Sequence, residues 1–240
     1  MKLRIALAVV CIMFIPSQVV IAGLIDDLLE KVQTPSTSSI DEATAVSGLK
    51  EALSVGTASA VKLVSRENGY FENEAIKILL PEKVQIIGEV LRNAGFGKEV
   101  DDFILSMNRA AEKAAPKAKP VFVNAIKGMT FRDAGKILNG GDTAATDYFR
   151  TKTSSHLFDA FKPEISSSMK EVGVARQYKA VTERYLSLIP FGSADSLDLD
   201  QYVTNKALGG LFVMLGQEEK KIRTNPTART TEILKKVFGK

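Results

Sequence analysis

The chain has 240 residues, of which 45% are hydrophobic, and its formal net charge is +4. It contains one cysteine, one histidine and no tryptophan, so a zinc site built on cysteine or histidine is nearly excluded by count. The small net charge does not suggest a nucleic-acid-binding protein. The length is sufficient for one hydrophobic core. Composition therefore predicts an ordinary globular protein and names no activity.

Residues 1–22 have the pattern of a secretory signal peptide. Two basic residues precede an apolar run at residues 5–15, and small residues lead up to Ala22. A membrane-spanning helix needs about 20 apolar residues. Because Pro16 interrupts this run, a cleaved leader is favoured over an uncleaved anchor. We expect cleavage before Gly23 and export to the periplasm, with no transmembrane span in the mature chain.

The only cysteine, Cys11, lies inside that leader. The exported chain is therefore expected to contain no disulfide. Loss of the leader removes two basic residues and no acidic one, which lowers the formal charge from +4 to +2. Residues 23–40 are expected to form a short amphipathic helix and a polar linker. Residues 41–240 are expected to form an all-helical domain.

Apolar residues at helical spacing predict helices through that domain, and no stretch alternates as a strand does. Tyr70 and Phe71 are expected to tuck back from a loop, and a short helix is expected at Glu74–Leu80. A longer helix should begin near Pro81 and end at Gly95-Phe96-Gly97, because glycine can close a helix in the left-handed conformation. Its expected buried side consists of Val84, Ile87, Val90, Leu91 and Ala94. We predict an all-α fold, one compact domain of eight to ten helices with no significant sheet.

Lys98–Thr130 is the most strongly patterned stretch of the chain. One helical face carries its apolar residues Val100, Phe103, Ile104, Met107, Ala110, Ala111 and Ala114. Pro116 and Pro120 are expected to break or kink the helix, because proline lacks a backbone donor and clashes with the preceding turn. A second apolar series then follows at Phe122, Ile126 and Met129.

Five segments together resemble one bacterial family. They are LKEALSVGTASAVKLVS at 49–65, NEAIKILLPEKV at 73–84, FILSMNRAAEKAAPKAKPVFVNAIKGMT at 103–130, GGDTAATDYFRTKT at 140–153 and EEKKIRTNPTARTTEILKKVFG at 218–239. The chain after the leader resembles the family called domain of unknown function 4197. The resemblance implies an exported, mostly helical bacterial protein, and it carries over no catalytic or binding residue.

Three features could suggest catalysis, anion binding or calcium binding, and each is explained better by an ordinary structural role. His156 has no mature cysteine or Gly-x-Ser-x-Gly motif to accompany it, so we expect a partly exposed helix side chain. Residues 140–143 could hold an anion before a helix, but the carboxylate of Asp142 would repel it and is a good N-cap. The spacing of Asp195, Asp198 and Asp200 departs from the EF-hand pattern and fits a solvated loop better. No cofactor and no metal site is expected.

Two polar surfaces are candidate binding sites. The first, the polar edge, consists of Asn108, Arg109, Glu112 and Lys113 on the central helix. It could line a cleft; the alternative is an exposed face in which Glu112 pairs with Arg109 or Asn108. The second, the basic tail, consists of Lys220, Lys221, Arg223, Arg229, Lys235 and Lys236. It could contact an anionic envelope surface; the alternative is a solvated helix face.

Three functional hypotheses follow. The favoured one is an exported, non-catalytic binding or interaction module of the cell envelope, whose partner is an envelope protein or an anionic surface. The first alternative is a carrier of a small apolar or lipid ligand between helices. The second is an envelope enzyme whose site the sequence does not reveal. Fold class alone does not decide between them.

Overall fold

A computed structural model describes residues 42–171 and 198–225, together with Gly173, Arg176, Ala180 and Thr227. The side chain of Lys83 is not among the described parts. The expected leader, N-terminal helix and linker lie outside the described residues, and so does the helix expected after Asn225. Contacts between residues group Ile40–Lys240 into one compact unit.

The described residues form seven α-helices. They are α1 (Glu42–Ser65), α2 (Glu82–Leu91), α3 (Gly97–Ala114), α4 (Ala118–Lys127), α5 (Phe131–Leu138), α6 (Ala144–Glu171) and α7 (Leu199–Thr224). A π-helical turn, Arg92–Phe96, joins α2 to α3, and a 3-10 turn, Ala115–Lys117, joins α3 to α4. None of the described residues lies in a strand. The predicted all-α class is therefore confirmed.

The expected number of helices was wrong: the described residues form five continuous helical segments, not eight to ten. One of these segments extends from α2 through α4, with a sharp kink at Gly95, whose backbone is not helical. Pro116 lies in the 3-10 turn, and Pro120 is the third residue of α4. In both places an N–H group is not required for the regular helical hydrogen bonds. The two prolines therefore change the helix type locally without ending the segment.

The short helix expected at Glu74–Leu80 is not formed. The N–H groups of Ile76 and Lys77 both bond to the carbonyl of Asn73, which makes a single turn. Beyond it, the N–H and C=O groups of Ile78 bond at 2.8 Å each to the side chain of Asn108. A side chain of α3 thus takes the place of the helical hydrogen bonds that these backbone groups would otherwise need.

The core lies between the long helices. α6 packs against α7, α3 and α4, while α1 packs against α7 and α4. The predicted apolar face of α3 is confirmed, since its members are buried except for the half-buried Ile104. Phe122 of α4 meets Phe149 of α6 edge to face, with ring centroids 5.1 Å apart. Aromatic rings prefer this arrangement because of their quadrupoles.

The loop between α1 and α2, residues 66–81, enters the core. Tyr70 is fully buried, and its hydroxyl donates to the carbonyl of Ala207 on α7 at 2.7 Å. Gly210 provides the space for the ring, because a Cβ atom there would lie 2.6 Å from Cε1 of Tyr70. Burial raises the pKa of Tyr70 above its usual range, and the nearby Glu112 carboxylate adds to this effect. The phenol therefore stays neutral and acts as a hydrogen-bond donor inside the core.

Candidate functional site

α2 and α3 form a helical hairpin whose turn is at Gly95. The φ angle of Gly95 is +94°, a left-handed conformation that glycine adopts without a steric penalty. This confirms that a left-handed glycine ends the helix, whereas Gly97, the other glycine of the predicted segment, has a right-handed helical backbone. Across the turn, the guanidinium of Arg92 pairs with Asp101 at 2.6 Å. The main contacts of α2 are with α3 and the turn, so one side of α2 remains open.

The open side of this hairpin carries an apolar surface, which we call the hairpin patch: Ile86, Val90 and Phe96. Their exposed fractions are 64%, 55% and 51%. Ile86 and Val90 are four residues apart and therefore neighbours on one helical face, and Phe96 lies in the turn. Val84 and Ile87 are buried as predicted, but the expected burial of Val90 and Ala94 was wrong, since both are exposed. Neighbouring exposed apolar side chains such as Ile86 and Val90 are typical of surfaces that bind a partner.

Three carboxylates lie near the hairpin patch along the chain. Glu82 lies four residues before Ile86, and Glu89 lies three residues after it, so helical spacing places both beside it. Glu99 follows Phe96 by three residues. No ion pair joins these three carboxylates to any other described side chain. Lys83 also precedes Ile86 by three residues, so the border of the patch is mainly, but not exclusively, acidic.

Asn108 of the polar edge is completely buried. Its Oδ1 accepts the N–H of Ile78, and its Nδ2 donates to the carbonyls of Ile78 and Ile104, each at 2.8 Å. The side chain therefore uses both of its donors and its acceptor within the chain. The pairing expected between Asn108 and Glu112 does not form.

Glu112 of the polar edge is also buried and holds the other end of the same loop. Its Oε1 accepts the N–H groups of Tyr70 at 3.0 Å and Phe71 at 3.3 Å. Its Oε2 accepts from Arg109 at 2.6 Å, which confirms the predicted pair. Arg109 also donates to the side chain of Asn68 at 2.6 Å. Buried carboxylates require such partners, because an unpaired charge in the core is strongly destabilising.

Lys113 is the one exposed member of the polar edge. It pairs with Glu171 of α6 at 3.1 Å, and both side chains are more than half exposed. The other three residues hold the loop at 66–81 against α3. The polar edge thus anchors a segment of its own chain, and binding of another molecule by it stays a prediction.

The described half of the basic tail is mainly engaged with neighbours on α7. Lys221 pairs with Glu218, and Arg223 pairs with Glu219 at 2.9 Å while donating to the carbonyl of Ile137 at 2.8 Å. Lys220 is exposed and makes no ion pair with a described side chain. The remaining members, Arg229, Lys235 and Lys236, lie outside the described residues. Contact of the tail with an anionic surface stays a prediction.

Glu219 has a structural role that sequence reasoning missed. Its carboxylate accepts the N–H groups of Ala145 at 2.9 Å and Thr146 at 2.8 Å, the first free donors of α6. It therefore caps α6 from another helix, and the expectation that Asp142 would do so was wrong. The available signal was that Glu219 follows Leu215 by four residues, on the apolar face of α7.

Two of the three aspartates considered for calcium also have structural partners. Asp198 accepts the N–H of Gln201 at 2.9 Å and caps α7, while Asp200 accepts from the hydroxyl of Ser166 at 2.7 Å. Asp195 lies outside the described residues. In the described part of the chain, no group of three or more histidine, cysteine or acidic residues is placed to hold a metal ion. No helix in that part is long and apolar enough to cross a membrane.

Comparison with known proteins supplies the family. The family model described as protein of unknown function (DUF4197) matches residues 39–239. Neither a curated protein nor a solved structure matches the chain. Because the family match extends over most of the sequence, and the family resemblance of the five segments agrees with it, the chain belongs to the DUF4197 family.

Proposed function

We propose that the protein is an exported, non-catalytic interaction module of the cell envelope that binds a protein partner through the hairpin patch. The observation that carries the proposal is the exposure of Ile86, Val90 and Phe96, each more than half accessible to solvent. Export to the periplasm rests on the leader pattern of residues 1–22. The patch supplies the surface, and the compact helical unit holds it in place.

The border of the patch restricts the chemistry of the partner. Glu82, Glu89 and Glu99 would repel anionic lipid headgroups and would attract lysine or arginine side chains. We therefore infer a protein surface with apolar side chains flanked by basic ones. Complementary charge of this kind raises the association rate and selects among partners more than it raises affinity.

The burial of the patch is sufficient for a moderate affinity. Complete burial of a valine, isoleucine or phenylalanine side chain contributes about 1.5–3 kcal/mol. Because each patch residue is already about half buried, a partner would gain about 1 kcal/mol from each. Loss of two such contacts, about 2 kcal/mol, corresponds to a roughly 30-fold weaker complex.

A lipid carried inside the core is less well supported than the interaction module. It requires an enclosed apolar cavity of ligand size, whereas the apolar void between α1, α5, α6 and α7 has a volume of about 20 Å³. A cavity of that size accommodates about one water molecule. A lipid chain does not fit into it, so this void does not favour a lipid ligand.

Site-specific photo-crosslinking in an exporting host would test the proposal. A photoreactive residue at position 86 is expected to form an adduct with one defined protein. The same residue at position 213 is the matched control, because Val213 is also apolar and exposed, at 41%, but lies on α7. No adduct with that protein is expected there.

Variants then test whether the patch and its border cause the adduct. In the chain that carries the photoreactive residue at position 86, Val90→Ser combined with Phe96→Ser should weaken binding about 30-fold, and Glu89→Lys should weaken it at low salt. Val213→Ser should leave binding unchanged. The proposal fails if position 86 crosslinks only to lipid or to a second copy of this chain, or if the adduct survives these patch variants.

A further inference from the structure

A groove of about 400 Å³ lies between α4 and α6, and the start of α5 closes one end. Tyr148 fixes its two walls together. The hydroxyl of Tyr148 donates to the carbonyl of Ala125 at 3.1 Å, and its ring meets Phe149 edge-on, with centroids 5.6 Å apart. The groove is therefore formed in the absence of a ligand. Its volume lies in the range of small-molecule sites.

Three polar side chains on the walls take no part in holding the fold together. Lys152 and His156 are four residues apart on α6 and share a face, while Asn124 projects from α4. Over the residues that the structure describes, none of these three side chains has a hydrogen bond or an ion pair. By contrast, Thr130 and Asp133 at the closed end bond to each other in a capping box.

The lining of the groove carries one basic side chain, Lys152, and one acidic side chain, Asp133. Because Asp133 accepts hydrogen bonds from Thr130, Lys152 is the charge that a ligand can pair with, and an anionic group suits it. Hydrogen bonds from the side chain and backbone of Thr130 lower the pKa of Asp133, with smaller contributions from Lys152 and Arg132. Asp133 is therefore ionised at neutral pH. Its charge at the closed end disfavours ligands with two negative charges.

Apart from Thr153, whose hydroxyl donates to the carbonyl of Phe149 at 2.6 Å, the remainder of the lining is mainly apolar. Val121, Ala125 and Gly128 form the α4 side, and Tyr148 contributes from α6. Small-molecule sites typically combine such a surface with a few polar groups that orient the ligand. The groove has both parts.

We propose that this groove binds a small organic monocarboxylate. The carboxylate lies between Lys152, His156 and Asn124, which supply an ammonium, an imidazole and an amide donor. The apolar body of the ligand packs against Val121 and Ala125. This site is on a different part of the surface from the hairpin patch, and its proposal does not depend on the proposed protein partner.

The single histidine allows a direct test. Because His156 is the only histidine in the chain, the NMR signals of its ring report on this groove without assignment of the rest of the protein. The untagged protein is titrated with benzoate at fixed pH and ionic strength, and benzamide serves as the neutral ligand of similar shape. A saturable shift with a dissociation constant of about 1 mM is expected for benzoate, with a much weaker response to benzamide.

Matched variants locate the binding site. Lys152→Ala should weaken benzoate binding about three- to fivefold, the range expected for loss of an exposed charge contact. Asn124→Ala should also weaken it, whereas Lys136→Ala, on α5 outside the groove lining, should change it less than twofold. The proposal is overturned if the histidine signals show no saturable shift with benzoate. Equal binding of benzamide, or unchanged binding by Lys152→Ala and Asn124→Ala, would also overturn it.

Discussion

Replacement of Asn108 is expected to release the loop at residues 66–81 from α3. Asn108→Ala removes the three hydrogen bonds of a fully buried side chain. The N–H and C=O groups of Ile78, which is itself 1% exposed, lose their partners. An unsatisfied buried group costs about 1–3 kcal/mol. We therefore expect the free energy of unfolding to fall by about 2–5 kcal/mol, a large part of the stability of a typical domain.

Asn108→Asp gives the same site a dependence on pH. One oxygen can still accept from Ile78, but the other faces the carbonyls of Ile78 and Ile104. Burial and these carbonyls raise the folded-state pKa of the introduced carboxyl above its unfolded value of about 3.9. The folded state then binds the proton more tightly, so stability falls as pH rises from about 4 through the folded pKa. Relative to Asn108→Ala, this variant should regain stability on acidification.

Urea unfolding of both variants at pH 7 and near pH 4.5 measures these changes. Asn205→Ala, an exposed asparagine on α7, is the matched control and should change stability by less than about 0.5 kcal/mol. Amide exchange should accelerate at Tyr70 and Ile78 in the Asn108 variants. If Asn108→Ala behaves like the control, or if Asn108→Asp gains nothing over it at low pH, the anchoring role is refuted.

Four further variants test other parts of the structure by chemical denaturation. Gly95→Ala should cost about 1–2 kcal/mol, because the left-handed backbone strains a residue with a Cβ atom; restoration by Asn would support this cause. Gly210→Ala should cost about 1–3 kcal/mol, since the new atom would meet the ring of Tyr70; an unchanged stability would contradict the close approach. Glu219→Gln should cost about 2–3 kcal/mol by breaking a buried ion pair, and faster exchange of amides in the first turn of α6 would locate the effect. The folded-state pKa of Asp198 is lowered mainly by the hydrogen bond from the backbone N–H of Gln201, and to a smaller extent by Lys162. Its contribution is therefore present above pH 4 and lost as pH falls through the folded pKa, and Asp198→Asn should flatten this part of the stability profile.

Local pattern was sufficient for the all-α class and for the face of α3 that enters the core. Helical periodicity depends only on residues a few positions apart, so Phe103 and Met107 could be assigned to the buried side without tertiary information. A left-handed glycine after α2 was predictable for the same reason, because glycine commonly adopts this conformation where a helix ends.

Contacts between distant parts of the chain were not predictable. Asn108 lies 30 residues from Ile78, and its effect was to prevent a helix that the local sequence favoured. Glu219 lies 74 residues from Ala145 and replaced the local cap at Asp142. In each case a single polar side chain supplied the hydrogen bonds that local structure was expected to supply. No periodic pattern encodes such a pair.

The hairpin patch was missed for a different reason. The sequence of α2 is apolar on more than one side, and the pattern alone does not say which side has a neighbour. Val84 and Ile87 face the core, whereas Ile86 and Val90 remain exposed. Periodicity identifies an apolar face but leaves open whether the chain itself or another molecule covers it.

The polar edge and the hairpin patch are connected through the loop that separates α1 from α2. Asn108 holds Ile78, which lies three residues before Pro81, the residue that precedes α2. The start of α2 therefore depends on a hydrogen bond made by α3. A variant of Asn108 could reduce partner binding by displacing α2, without any direct contact to the partner. Ile86→Ser removes an exposed side chain and should leave the free energy of unfolding nearly unchanged. A loss of binding at constant stability would therefore distinguish the contact surface from the residues that position it.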